Sequence, residues 1–199
     1  LGICLPLVGS GAVYKRLSNS GDALAHSSLA GVVIGLASGT NPLLISVISC
    51  VVAFLIIEFL RKRFSKYAEI GVVVVLSLAI GLVGILSNYS KGGNFESYLF
   101  GSIILLGTTE LIVTIVLTVV IVIFSVLFFP QLFAVLYSPS EAKVSGIKAG
   151  VLNFSHSLLL AITVAVGTKI VGSLVVSSMI VLPVATALLF KKGYRFTLI

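Results

Sequence analysis

An acid and an imidazole stand four residues apart, as Asp22 and His26, at the head of an otherwise apolar segment. On an α-helix this spacing corresponds to about 400° of rotation and about 6 Å of rise, so both side chains share one face. A carboxylate with an imidazole suits zinc, manganese or iron(II). Because ionisable groups inside an apolar helix are costly, the pair indicates a functional site. The structural alternative is that Asp22 caps the helix and His26 is a buried histidine paired with a hydroxyl.

The composition of the 199 residues predicts an integral membrane protein, because 58% are hydrophobic and only 10% are charged. Apolar runs of about 20 residues favour spanning helices over barrel strands. We therefore predict an all-α polytopic bundle in a lipid bilayer, with residues 1–199 forming one transmembrane domain, an excerpt of a longer chain. The net charge of +7 does not imply a nucleic-acid partner, because basic residues in a membrane protein primarily indicate which loops face the cytoplasm.

The order of apolar and polar segments predicts about seven spans. A short re-entrant or surface helix is expected over residues 95–106, because that apolar run is too short to cross a bilayer. One span is expected to break at Gly167-Thr168-Lys169, and Pro183 falls inside the last span. The predicted spans cover residues 2–14, 22–36, 42–60, 67–86, 107–129, 151–168 and 170–190.

The basic residues fall almost entirely on one side of this layout. Eleven of the thirteen lie on one face, and only Lys91 and Lys169 lie on the other, so the first face is expected to be cytoplasmic. Asp22 is then expected towards the inner part of the membrane, with His26 about one turn deeper. The segments predicted to be cytoplasmic are residues 15–20, 61–66, 138–150 and 191–195.

Other polar and small residues have structural interpretations. His156 is expected to hydrogen-bond across helices, with metal contact as the alternative, and Glu58 is expected to pair with Arg61 or Lys62. Residues 138–150 form either a short amphipathic helix that contacts a cytosolic partner or a solvated loop. The chain has no Walker motif, so ATP hydrolysis is not expected of it. Close helix packing is predicted at two glycine pairs, namely Gly31/Gly35 and Gly81/Gly84.

Four ordered blocks of the sequence resemble membrane permeases of ABC transporters for zinc, manganese and iron. The first is Gly21-Asp22-x-Leu24-x-His26-x-Ser28-Leu29-x-Gly31-Val32, and the second is Ser97-Tyr98-Leu99-Phe100-Gly101-Ser102. The third is Ser138-Pro139-x-x-Ala142-x-x-x-Gly146. The fourth begins at Val171-Gly172 and continues through Met179-Ile180-Val181-Leu182-Pro183 to Ala187. The resemblance covers residues 10 to 190, approximately the whole chain.

The resemblance implies a type II ABC importer-like permease that works as a homodimer with cytosolic ATP-binding subunits. An extracytoplasmic metal-binding protein would deliver the ion, which is transported and not kept as a permanent cofactor. Asp22 and His26 match positions that contact the metal in transit, and Ala30-Gly31 resembles the zinc-type members. By the same resemblance, residues 138–150 form the coupling segment, and Gly31, Gly172 and Pro183 serve packing or gating. The coupling positions are Ser138, Pro139, Glu141, Ala142 and Gly146.

Three alternatives remain at this point. A permease for a metal chelate such as haem, a siderophore or cobalamin would leave the Asp–His pair without a clear task. A proton-coupled secondary carrier would use Asp22 and His26 without an ATPase. A membrane-embedded metalloprotease is disfavoured, because the chain lacks an H-E-x-x-H motif.

Overall fold

A computed structural model describes residues 1–2, 4–14, 19–64, 68–87, 95–101, 107–137, 145–146 and 148–189. These residues form nine α-helices, and this part of the chain contains no β-strand. The predicted all-α membrane fold is therefore confirmed. The helices are α1 Cys4–Tyr14, α2 Asn19–Ser38, α3 Pro42–Arg63, α4 Ala68–Leu86, α5 Phe95–Phe100, α6 Thr108–Leu127, α7 Phe129–Tyr137, α8 Ala149–Val171 and α9 Ser173–Leu189.

Three of these helices are long and apolar enough to cross a membrane, namely Pro42–Arg63, Glu69–Leu86 and Ala149–Val171. Two shorter apolar helices, Leu111–Leu127 and Ser173–Ala187, accompany them. Large apolar side chains on α3, α4 and α6 are exposed, among them Phe59, Leu78 and Val126. A soluble protein rarely leaves so wide an apolar surface in water, so these faces suit contact with lipid.

Most helix ends follow the sequence signals, but one predicted break is wrong. Asn41 caps α3 by accepting a hydrogen bond from the Leu43 N–H at 3.0 Å, and Pro42 opens the helix, as its missing N–H allows. The expected interruption at Gly167-Thr168-Lys169 does not occur, because α8 continues to Val171. A Cβ at Gly167 would lie 3.1 Å from the Val176 side chain, so this glycine permits close packing of α9 and does not end the helix.

Helix α2 is the centre of the bundle. It packs against α3 and α4 on one side and against α8 and α9 on the other. Its residues Ala23, Leu24 and Ala25 are at most 2% exposed and join the main apolar core with side chains of α1, α3, α4, α6, α8 and α9. Burial of that apolar surface is the main force that holds the described helices together.

A second, smaller apolar cluster lies where α6, α7 and α8 meet. Its buried members are Leu132 and Val135 of α7 with Ala149 and Leu152 at the start of α8. Phe124 packs against this cluster from the end of α6. The cluster therefore ties together the two helices that flank residues 138–148.

Short helix α5 ends against the junction between α8 and α9. Gly101 and Gly172 have φ angles of +80° and +88°, a region that favours glycine. A Cβ on Gly101 would clash with the Val171 backbone, and one on Gly172 would clash with the Leu99 carbonyl oxygen. The short helix expected over residues 95–106 thus exists up to Phe100, and residues 102–106 lie outside the described part of the chain.

Gly81 and Gly84 of α4 contact no neighbouring helix in the described part of the chain, where a Cβ added at either position would meet nothing within 4 Å. The spacing of small residues is therefore matched by close helix packing at Gly31 and Gly35, and for Gly81 and Gly84 it stays a prediction.

Candidate metal-transfer site in helix α2

The structure brings the side chains of Asp22 and His26 together. Asp22 lies in the first turn of α2, where the helix dipole favours a carboxylate, and the His26 Nε2 atom is 3.7 Å from Asp22 Oδ1. Two ligand atoms on one tetrahedral zinc ion lie about 3.4 Å apart, given metal–ligand bonds of about 2.0–2.2 Å. A small adjustment of either side chain would therefore allow both to contact one ion.

Asp22 and His26 are the accessible positions of a helix that is otherwise enclosed. From Ser20 to Val33, all residues of α2 except Asp22 and His26 are buried. The Asp22 side chain is 44% exposed and the His26 side chain 20% exposed. The exposed face of this stretch therefore carries both candidate ligands.

The pair lies at mid-depth in the bundle. The Cys50 thiol donates a hydrogen bond to the Ala161 carbonyl oxygen at 3.1 Å and lies 3.5 Å from the carbonyl oxygen of Leu24, between the two ligands. Cys50 and Ala161 both fall in the middle third of spanning helices, α3 and α8. The contacts of Cys50 give the level of the pair relative to α3 and α8, and the expectation that Asp22 lies towards the inner part of the membrane stays a prediction.

The first turn of α2 rests on Ile180 of α9. Ile180 is fully buried, and a Cβ on Gly21 would lie 3.0 Å from its Cδ1 atom. On α1, a Cβ on Gly9 would lie 2.7 Å from Ile180 Cγ2. Ile180 therefore fills the space between Gly9 of α1 and Gly21 of α2, and Gly21 directly precedes Asp22. Ile180 belongs to the fourth sequence block of the family resemblance, but its contact with the first turn of α2 is visible only in the structure.

Serine hydroxyls form hydrogen bonds between α2 and α3 just after His26 in the sequence. The hydroxyls of Ser28 and Ser46 are 2.8 Å apart and buried, and the Ser49 hydroxyl donates to the Ser27 carbonyl oxygen at 2.8 Å. Gly31 lets the two backbones approach, since a Cβ there would lie 2.7 Å from the Ile45 carbonyl oxygen. Small residues with interhelical hydrogen bonds are typical of tight packing in membranes.

His156 does not join the Asp22–His26 pair. Its ring is 4% exposed and lies against Gly11 of α1, with its centroid 6.5 Å from that of Phe124 on α6. In the described part of the chain, no group of three His, Cys, Asp or Glu side chains could hold a metal. Among the described residues, the candidate site therefore consists of the two side chains of Asp22 and His26.

The remaining expected positions lie apart from the pair. Gly146, with a φ of +75°, meets nothing within 4 Å of an added Cβ, and Pro183 is exposed inside α9. Glu58 forms the expected ion pairs at the end of α3, with Arg61 at 2.7 Å and Lys62 at 3.7 Å. Four of the coupling positions lie outside the described residues, namely Ser138, Pro139, Glu141 and Ala142.

A bundle with three helices long and apolar enough to cross a membrane, and with wide apolar faces exposed, is typical of a multi-pass membrane protein. The chain belongs to the ABC 3 transport family, whose model matches residues 1–198. The resemblance carried by the four sequence blocks is therefore confirmed.

Individual relatives are similar over almost the whole chain. A probable metal transport system membrane protein of Treponema pallidum is 36% identical, covering 100% of this chain and 75% of the relative. The high-affinity zinc uptake system membrane protein ZnuB of Haemophilus influenzae is 32% identical, covering 96% of this chain and 76% of the relative. The manganese transport system membrane protein MntC of Halalkalibacterium halodurans is 27% identical, covering 95% of this chain and 65% of the relative.

A solved structure shares the fold. PsaBC from Streptococcus pneumoniae, in complex with Fab, superimposes with a TM-score of 0.82 at 23% sequence identity. The match covers 99% of this chain and 72% of the solved chain. The helical arrangement described above therefore occurs in a solved structure.

Proposed function

We propose that this chain is the membrane-spanning permease of an ATP-driven importer for divalent transition metal ions. The observation that carries the proposal is the accessible Asp22–His26 pair at mid-depth on an otherwise enclosed helix. Relatives named for zinc and for manganese transport support the metal class. The chain itself would be a transport subunit, with ATP hydrolysed by separate cytosolic subunits.

Two protein ligands suit a conduit better than a storage site. A structural zinc site closes the coordination shell with four protein ligands, whereas an open shell leaves positions for water and permits release. The charge of the ion would offset the cost of a carboxylate inside the membrane. Asp22 and His26 would therefore act as transient ligands during passage, and His156 would support the packing of α1, α6 and α8.

We propose zinc as the favoured cargo, with manganese or iron as possible ions. The support is the Ala30-Gly31 sequence, which resembles zinc-type members, together with an imidazole ligand that zinc accepts well. An extracytoplasmic metal-binding protein would hand over the ion. A second copy of the permease would complete the transporter.

We propose a prokaryotic plasma membrane as the location, with residues 15–20, 61–66, 138–150 and 191–195 in the cytoplasm. The excess of basic residues in these segments supports that orientation. The coupling segment would contact the ATPase through Ser138, Pro139, Glu141, Ala142 and Gly146. Because α7 and the start of α8 share one apolar cluster, a displacement of the coupling segment between them would be transmitted directly to α8. Gly31, Gly172 and Pro183 would serve packing or gating during that motion.

The test is transport by purified components in sealed vesicles. The full-length permease is reconstituted with its ATPase and binding protein, and uptake of zinc, manganese and iron is measured with and without ATP. We expect ATP-dependent uptake of at least one of the three ions, and none when the ATPase is left out. Uptake by the permease alone, driven by a proton gradient, would instead identify a secondary carrier. Uptake of a haem or siderophore complex without free-metal uptake would identify a chelate permease.

A further inference from the structure

We propose that the junction of α3 and α4 binds an anionic phospholipid, with its headgroup on the basic end of α3 and an acyl chain in the adjoining groove. The groove has a volume of about 300 Å³ and is lined by Leu60, Phe64, Ile70, Gly71 and Val74. All of these residues are apolar or lack a side chain. The described lining therefore offers no side-chain hydrogen-bonding group and suits a hydrocarbon chain.

The groove is open to the surroundings of the bundle. Phe64 is 56% exposed, Ile70 57% and Val74 44%, although the backbones of α3 and α4 converge at Gly71. A Cβ at Gly71 would lie 2.9 Å from Leu60 Cβ, so the floor of the groove is closed by direct helix contact. An acyl chain could therefore lie along this surface without entering the core.

A cluster of positive charge stands at the end of α3 beside the groove. The last turn of α3 carries Arg61, Lys62 and Arg63. Glu58 is buried and engages the Arg61 guanidinium at 2.7 Å, and it reaches the Lys62 ammonium only at 3.7 Å. Lys62 remains 72% exposed, and Arg63 is exposed without an ion pair to any residue that the structure describes.

Two cationic groups are therefore available to an anionic headgroup at one end of an apolar groove. Glu69, at the start of α4, is the acidic side chain near the same junction, and it is exposed. Among the described residues of the junction, Glu58 and Glu69 against the three basic residues of α3 leave a net charge of +1, which favours an anion. In the proposed orientation this end faces the cytoplasmic leaflet, where anionic lipids concentrate.

The proposal rests on the orientation only for the choice of leaflet, so the experiment uses symmetric nanodiscs and needs no transport. The full-length permease is placed in phosphatidylcholine nanodiscs that contain a trace of photoactivatable phosphatidylglycerol, and labelled peptides are mapped by mass spectrometry. Photoactivatable phosphatidylcholine serves as the lipid control. We expect phosphatidylglycerol to label the end of α3 and the start of α4 in preference to phosphatidylcholine.

Variants separate the headgroup site from general surface charge. Arg63→Gln and Lys62→Gln should each reduce phosphatidylglycerol labelling at the junction about fivefold, and Arg63→Lys should largely restore it. Lys148→Gln removes an exposed cation outside the groove and should leave that labelling unchanged. Val74→Phe should reduce acyl-chain labelling while all three basic residues remain.

Two results would overturn the proposal. The first is equal labelling by the two lipids, or labelling that maps to other helices. The second is an equal loss of labelling in Arg63→Gln and Lys148→Gln, which would indicate attraction to overall charge only. Because the readout is lipid labelling, neither result bears on whether the permease transports metal.

Discussion

The Cys50 thiol of α3 lies 3.5 Å from the carbonyl oxygen of Leu24 in α2, midway in sequence between Asp22 and His26. This contact sets the depth of the acid–imidazole pair, because Cys50 falls in the middle third of a 22-residue spanning helix. The independent contact of Gly21 with Ile180 in the middle third of α9 gives the same depth. In the middle of a spanning helix a charged group is least well solvated, so the proposed passing cation would compensate the cost of the carboxylate most at this level.

The ligand chemistry of the pair predicts the selectivity of a variant. Replacing the carboxylate in Asp22→Cys offers a soft thiolate, which binds zinc and cadmium well and manganese poorly. We expect the ratio of zinc to manganese uptake to rise on the order of tenfold. The native cysteines do not interfere, since Cys4 and Cys50 are at most 1% exposed.

The measurement is competitive uptake of the two ions by the reconstituted transporter. Asp22→Asn is the matched control, because an amide keeps the shape and retains an oxygen ligand without the charge. An unchanged zinc-to-manganese ratio in Asp22→Cys would show that Asp22 does not contact the ion.

The contact between α2 and α3 predicts a contrast between two glycines. In Gly31→Ala the new methyl group would lie 2.7 Å from the Ile45 carbonyl oxygen and from Ser46 Cα, which are backbone atoms that cannot turn away. We expect a loss of about 1–3 kcal/mol in the free energy of unfolding in detergent, the usual cost of overpacking.

Gly84→Ala is the control for that substitution. Its methyl group would meet none of the described residues within 4 Å, and alanine favours a helix interior by up to about 1 kcal/mol. The free energy of unfolding should therefore stay constant or rise. Equal destabilisation of both variants would mean that α2 and α3 do not pack as closely as described.

The junction of α5 with α8 and α9 predicts a second contrast. Gly172→Ala combines a φ of +88° with a clash against the Leu99 carbonyl oxygen. Gly39→Ala has a φ of +67° with nothing within 4 Å, so it carries the conformational cost alone, about 1–2 kcal/mol.

We expect Gly172→Ala to lower the free energy of unfolding by about 1–3 kcal/mol more than Gly39→Ala does, because of the added overlap. Thermal unfolding of the two variants in the same detergent measures the difference. Similar values would argue that α5 does not rest on the α8–α9 junction.

The sequence predicted the membrane class, most helix bounds and the pairing of Asp22 with His26, because these depend on local composition and helical spacing. It could not predict the level of the pair within the bundle, since the partners that define that level, Cys50 and Ile180, come from distant helices.

Two further features depend on tertiary contacts in the same way. Gly167 was expected to end a helix and instead accommodates Val176 inside the packed bundle. The approach of Gly101 to the Val171-Gly172 backbone joins two sequence blocks that lie about seventy residues apart, and neither block alone indicates the other.

The most direct test of the central claim is ATP-driven metal uptake by the reconstituted transporter that carries His26→Ala. The account predicts a fall of on the order of tenfold or more in zinc uptake, because a metal-bound imidazole is lost from a two-ligand site. Ser38→Ala, at the exposed end of the same helix, should transport as the parent does. Parental uptake of zinc, manganese and iron by a folded His26→Ala variant would contradict the account.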